Sequence, residues 1–369
     1  MVSNMTLRIG KNTTLFSDRP ICDPHRGKDS CVQNPRCPTL QWPSGPTAIL
    51  CGTNLTNVAI VGDEDLSSTI DGGGWLWYEA GLANASMQGV GPRTYELAWS
   101  SNLSISTVRF VNSPSWTVHP TFSTNVRADR IEIQNPRFTP NTDGFDPDSC
   151  VGVVLSNSHI DTGDDGISLK SMNSTVVGST HVQMPTRDVH IFNTTVLSRN
   201  MCVGSATFGG IYDVVVEDCI IGDENGSAPW AIKYKSHPLY PGAMRNHTWR
   251  RLRVGNIQPN SYQQPSAGYF ISIELQYGHP LPKGVTCSSD GSNCPLFEDV
   301  RFQDISIAGA VRAGNIGGLR GDPLRGLVFR NVTFESSPGQ GWLCRGVDLE
   351  TFEATSVVPP LKCTSGFVQ

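Results

Sequence analysis

Short runs in which every second residue is apolar recur along this chain, and few folds accommodate them. They lie at 57–62, 103–110, 125–133, 153–160, 188–192, 212–221, 251–254, 299–307 and 327–334. Most units hold one alternating run, a polar break and a second run. Alternation is the signal of a strand with one buried face. A period mostly in the twenties is the signal of a repeat. No helical stretch convincingly interrupts the pattern, which argues against βαβ folds. An antiparallel sandwich explains the alternation but not the period, nor the Asn, Asp and Gly at unit corners. The pattern therefore predicts an all-β chain, a single-domain right-handed parallel β-helix of about ten coils. Apolar side chains stack inside it, and each coil pairs the edges of the next. Residues 1–56 read as an N-terminal capping segment, 57–335 as the β-helix and 336–369 as a C-terminal disulfide-clamped tail. Trp75, Trp77 and Tyr78 follow three glycines; packing under a loop is the expectation and a cleft-lining role the alternative.

Composition narrows the function classes. The chain has 369 residues, 38% hydrophobic and 17% charged. That is neither a disordered nor a coiled-coil composition. No apolar run approaches the roughly 20 residues of a membrane span. A net charge of −5 argues against nucleic acid as a partner. A polyanionic substrate would need a local basic site. No membrane partner, cofactor or metal is expected, and a monomer is. Eleven cysteines cluster towards both ends: Cys22, Cys31, Cys37 and Cys51 at one, Cys344 and Cys363 at the other. Cys287 and Cys294 are placed to close a small loop, and the odd count leaves one thiol over. Sequons begin at Asn4, Asn12, Asn54, Asn84, Asn102, Asn173, Asn193, Asn225, Asn246 and Asn331. Cysteines and sequons together predict an extracellular glycoprotein. No signal peptide is visible at the start, so the chain reads as trimmed or as beginning inside a longer protein.

Two Gly-marked turns carry the chemistry. One reads Asn141-Thr142-Asp143-Gly144, the other Gly163-Asp164-Asp165-Gly166. Asp143 and Asp165 are 22 positions apart, about one coil. Residues one coil apart lie on neighbouring strands, about 4.7–4.9 Å from backbone to backbone. The spacing sets Asp143 beside the Asp164-Asp165 pair, at the floor of an open trough. Crowded carboxylates oppose one another's ionisation. Glycoside hydrolysis uses such a set, one carboxyl donating a proton and another activating the nucleophile or water. The alternative is that each Asp only shapes its turn.

These two motifs resemble signatures of the polygalacturonase-like glycoside hydrolases of family 28. The flanks agree: residues 113–120 before them, Val203-Gly204-Ser205 and Gly209-Gly210 after, and Ala231-Ile232-Lys233 where the family has Arg-Ile-Lys. The likeness runs from about residue 50 to 335. It implies a parallel β-helix, a pectic polysaccharide substrate and inversion. It further implies Asp164 as general acid, Asp143 and Asp165 as the pair that activates water, and Lys233 as partner of a substrate carboxylate. Tyr269 falls near the family's substrate-binding Tyr. Asn141, His119 and Arg199 complete the candidates for substrate contact. His119, 24 residues before Asp143, would either face the cleft or make a structural hydrogen bond. Two departures stand out. The family's Gly-His-Gly is absent from residues 198–202, and Ala231 replaces an Arg that would clamp a carboxylate bidentately. They turn attention to rhamnogalacturonan-type or exo-acting hydrolases, and to a carbohydrate-binding β-helix without turnover. A calcium-dependent lyase on the same scaffold ranks below these, because no Arg base adjoins the Asp cluster.

Overall fold

The structure, a computed structural model, describes residues 1–17, 48–83, 91–175, 181–226, 228–259, 267–288 and 290–366. Cys22, Cys31, Cys37 and Asn84 lie outside them. The chain divides into two compact units, Met1–Ser168 with Ser174–Val182, and Leu169–Asn173 with Gln183–Gln369.

In the first unit five parallel strands stack in register: Met5–Arg8, Thr56–Val61, Ser101–Ser106, Thr124–Asp129 and Val151–Ser156. Their inward positions form columns, such as Val58, Leu103, Val126 and Val153, all buried. A left-handed residue, Thr107, Arg130 or Asn157, bends the chain after a strand. A three-residue strand follows, and these stack the column Ile70, Phe110, Ile133 and Ile160. A third edge begins with Leu50–Thr53 on Tyr95–Ala98. It continues as single bridges from Tyr95 to Val118, Phe145 and Ile167.

Asparagine sets another corner. Asn4, Asn57, Asn102 and Asn125 all have φ near +55°. Each later side chain donates from Nδ2 to the Oδ1 before it, at 2.8, 3.0 and 3.1 Å. Asn tolerates this backbone better than other non-glycine residues. The polar ladder lies along the coil edge, outside the apolar columns.

The second unit repeats the plan six times, with strands Thr186–Phe192, Ile211–Glu217, Met244–Ile257, Phe297–Ala310, Arg325–Phe334 and Glu353–Val358. Its other edge stacks Met201–Thr207, Trp230–Lys235, Tyr269–Glu274, Arg312–Gly317 and Gln340–Arg345. One inward column reads Val189, Val214, His247, Val300 and Leu327, so a histidine occupies an apolar row. Its ring is satisfied there. Trp249 Nε1 donates to Tyr234 Oη at 2.7 Å, Tyr234 Oη lies 2.9 Å from His247 Nδ1, and His247 Nε2 lies 2.8 Å from the Ile211 carbonyl.

Both units have the parallel β-helix architecture that the periodicity predicts. Strands run from Met5 to Val358. Two details differ. Trp75–Ala83 is a helix, α1, starting from the Gly74 carbonyl, rather than aromatic residues under a loop. Its apolar residues have no 3.6-residue period, so no helical signal was legible there. Finally, Cys150, Cys202 and Cys219 are all buried thiols, where one was expected. Burial pushes Cys150 and Cys219 up to about 12. Cys287–Cys294 and Cys344–Cys363 are disulfides, and Cys51 is disulfide-bonded.

Candidate active site

The two Asp turns sit on consecutive coils of the first unit. The bridge from Phe145 to Ile167 sets an offset of 22 residues between them. Gly144 N donates to the Asp165 carbonyl at 3.0 Å, and Thr117 N to the Asp143 carbonyl at 2.8 Å. Trp116, Asp143 and Asp165 therefore follow one another up the third edge, two residues before the buried Val118, Phe145 and Ile167. The glycines are steric requirements. A Cβ on Gly144 would lie 2.4 Å from the Gly166 carbonyl oxygen, and one on Gly163 2.2 Å from that of Thr139. Real side chains do not approach so closely, so the turns pack only with glycine there.

Asp164 is held by backbone. Its Oδ2 accepts from Asn141 N at 2.9 Å and its Oδ1 from Asp165 N at 3.0 Å. Asn141 reaches this place in a left-handed conformation, with φ 56°. Its contribution is an amide orienting Asp164. Exposure is 4% for Asp143, 8% for Asp164 and 3% for Asp165, so the trough floor is more closed than the spacing suggested. Among the described residues, no three acidic, His or Cys side chains are grouped to hold a metal ion.

Asn135 organises the floor. Its Oδ1 accepts from Ser113 N at 2.8 Å, and its Nδ2 donates to Thr117 Oγ1 at 2.8 Å and to the Thr142 carbonyl at 3.2 Å. One buried amide thus ties turns of neighbouring coils together. The Asn135-Pro136 pair signals a turn, but nothing in the sequence signals these partners.

His119 takes the structural alternative rather than facing a cleft. It is fully buried, with Nδ1 3.1 Å from Glu96 Oε1 and Nε2 3.5 Å from Asp148 Oδ2. Arg93 Nη1 meets the same Glu96 oxygen at 2.9 Å, and its guanidinium lies 4.7 Å from the Trp116 ring centre. Burial raises the Glu96 pKa, but Arg93 and His119 outweigh it and hold the carboxyl below its ordinary range.

In the second unit, Lys233 Nζ lies 4.0 Å from the Trp230 ring centre, 5.2 Å from that of Tyr277 and 3.5 Å from Glu274 Oε2. Lys235 Nζ is also 5.2 Å from the Tyr277 ring. Ser272 holds Glu274 Oε1 at 2.6 Å. The aromatic part of this frame was not foreseen, although Trp230 stands three residues before Lys233. Tyr269 pairs in register with Trp230 and Arg312, and the Arg312 guanidinium faces its ring at 5.2 Å. The Arg199 carbonyl accepts from Trp230 N at 3.3 Å, which sets Arg199 at the base of the same strand.

Stacked parallel coils, with two Asp turns on consecutive coils, define the class of this protein as a parallel β-helix. Residues 36–348 match the family described as Glycosyl hydrolases family 28, and the chain belongs to that family. It is 29% identical over 326 residues to a probable polygalacturonase of Vitis vinifera, covering 86% of this chain and 60% of the relative. It is 27% identical over 275 residues to an endo-polygalacturonase of Pectobacterium carotovorum subsp. carotovorum, covering 71% and 59%. The chain thus spans about 60% of the length of these relatives. Among solved structures it resembles a polygalacturonase from Erwinia carotovora ssp. carotovora, with TM-score 0.70, 22% identity and coverage of 93% and 83%. It also resembles an exopolygalacturonase from Thermotoga maritima, with TM-score 0.68, 21% identity and coverage of 96% and 80%. At those identities the structural likeness establishes the fold.

Proposed function

We propose that this chain hydrolyses α-glycosidic bonds of pectic polysaccharide, in the manner of a polygalacturonase and with inversion. Asp164 donates a proton to the leaving oxygen, and Asp143 with Asp165 holds and activates the attacking water. The observation that carries this reading is the 22-residue register joining the two Asp turns, with Asp164 fixed by two backbone amides. A fixed carboxyl has little reorientation to make as the bond breaks. Inverting enzymes hold acid and base about 6.5–9.5 Å apart to admit water, a gap that neighbouring coils can supply. Lys233, framed by Trp230 and Tyr277, is the proposed partner of a uronate carboxylate, with Tyr269 on the neighbouring strand and Arg199 in the bend before Met201 contributing beside it. The disulfides support an extracellular site of action.

Asp164→Asn is expected to lower kcat on pectic polymers by about 10²–10⁴, the usual contribution of a positioned acid. Reducing-end release measures the rate, and NMR of the first-formed anomer measures the stereochemistry. Unchanged turnover in the variant rules out the assignment. An unsaturated product would mean a lyase, and binding without product would mean a carbohydrate-binding protein. Product sizes on homogalacturonan and rhamnogalacturonan identify the bond and the endo or exo mode.

A further inference from the structure

In the second unit, Lys233 has a carboxylate of the protein itself at its ammonium. Glu274 Oε2, from the strand of the next coil, lies 3.5 Å from Lys233 Nζ, which rests 4.0 Å from the Trp230 ring centre. Lys233 is only 5% exposed, so water screens the pair little. Glu274 is fixed from its other oxygen, where Ser272 Oγ donates to Oε1 at 2.6 Å. It therefore offers the ammonium the same group that a uronate would offer.

The register defines the charge around this pair. Lys233 stands opposite Ser272 and Lys235 opposite Glu274, so alternation puts all four on one face of neighbouring strands. Ala231, two residues before Lys233 on that face, adds no second cation. One coil on, Ser272 and Glu274 meet Asn315 and Gly317 in register, which add no charge. At these positions Lys233 and Glu274 cancel, and the net charge is that of Lys235.

We infer that Glu274 competes with the substrate for Lys233, and so sets how strongly this subsite prefers a free uronate to an uncharged sugar. The inference rests on the pectic reading of the carboxylate site and on Lys233 as the uronate partner. A uronate carboxylate drawn to Lys233 is repelled by Glu274 a few ångströms away. An uncharged sugar escapes that repulsion: its hydroxyl accepts from Lys233 and donates to Glu274. Glu274 yields Lys233 without being stranded, because Ser272 holds it and Lys235 stands opposite. Exchanging one carboxylate for another gains little, which keeps an acidic product from binding too tightly to leave. A salt bridge with only a structural role behaves differently, since its loss would loosen Lys233 and weaken binding of every substrate.

The test compares wild type, Glu274→Gln, Glu274→Ala and Glu274→Asp on unesterified and on highly methyl-esterified homogalacturonan, with calorimetric binding of unesterified galacturonate oligomers. In the Gln and Ala variants, KM for the unesterified polymer is expected to fall roughly fivefold, the scale of one partly screened like charge. The value of kcat should hold, because the repulsion acts on ground state and transition state alike. KM for the esterified polymer should not move, and Glu274→Asp, which keeps the charge, should stay near the wild type. Added salt should weaken oligomer binding more steeply in Glu274→Gln than in the wild type. An unchanged or raised KM in Glu274→Gln, or an equal shift on both polymers, overturns the inference and leaves the hydrolase standing. Tighter oligomer binding by Glu274→Gln with no bond cleaved by any form keeps the inference and removes the hydrolase. Oligomers neither bound nor cleaved by the wild type overturn both.

Discussion

At the scale of single residues, the left-handed corner explains more of this sequence than glycosylation does. Among the described residues, seven of nine sequon asparagines, Asn4, Asn12, Asn54, Asn102, Asn193, Asn246 and Asn331, have positive φ. A strand that follows such a corner is rich in Ser and Thr, so Asn-x-Ser/Thr arises from the repeat itself. Several of these side chains also donate inside the fold: Asn246 Nδ2 to Asp213 Oδ1 at 2.6 Å, and Asn331 Nδ2 to Asp304 Oδ1 at 2.9 Å. The number of sequons therefore reports the fold. Asn102 makes the point testable, because it both donates to Asn57 and accepts from Asn125. Asn102→Ala is expected to cost about 2 kcal/mol in protein made without glycans, from left-handed strain and two lost exposed hydrogen bonds. Urea denaturation measures it. A neutral substitution would return Asn102 to the pool of glycan acceptors.

At the scale of elements, the loops before the third-edge strands of the first unit decide the site. Residues 135–144 and 162–166 hold Asp143, Asp164 and Asp165 because Asn135, Thr142 and two glycines leave them one way to pack. Asn135→Ala should lower stability by about 2–3 kcal/mol, since it strands the buried Ser113 amide and removes the donor to Thr117 and Thr142. Its activity loss should exceed what the unfolded fraction explains, read as kcat at a temperature well below Tm. A loss fully accounted for by unfolding would make Asn135 a packing residue with no hold on the site. The strands and the Asp turns were legible because alternation, period and glycine punctuation are local patterns. The helix α1 was not, because an apolar segment without periodicity looks like loop or core. Nor was the burial of His119, whose partners Glu96 and Asp148 lie 23 and 29 residues away in either direction. The aromatic frame around Lys233 escaped for a related reason: Trp230 is near in sequence, but Tyr277 follows the strand of the next coil.

At the scale of the whole molecule, acid should weaken the fold, and His247 sets where. Its Nε2 must carry a proton to donate to the Ile211 carbonyl, which leaves Nδ1 as acceptor of the Tyr234 hydroxyl hydrogen. The Tyr234 oxygen in turn accepts from Trp249. Every polar atom of the chain is matched only while the ring is neutral. A second proton on the ring would collide with the Tyr234 hydroxyl hydrogen and bury a cation in a column of Val and Leu. Burial accordingly pushes the pKa down to about 4 from the ordinary 6.5, with the Ile211 carbonyl and Asp213 opposing weakly. Between those values the unfolded chain binds a proton that the folded chain does not. Stability thus falls as pH drops from 6.5 to 4, by about 3 kcal/mol in all, and this contribution flattens below 4. Glu96 adds to the loss below its ordinary 4.5, because Arg93 and His119 keep it ionised in the folded state despite burial. Denaturation midpoints taken from pH 7 to pH 4 should trace this decline. His247→Gln should be less stable at pH 7 yet show a shallower slope between 6.5 and 4, since Gln has nothing to titrate in that window. An identical slope in the variant would assign the acid sensitivity to other groups and leave the Trp249–Tyr234–His247 chain as packing alone.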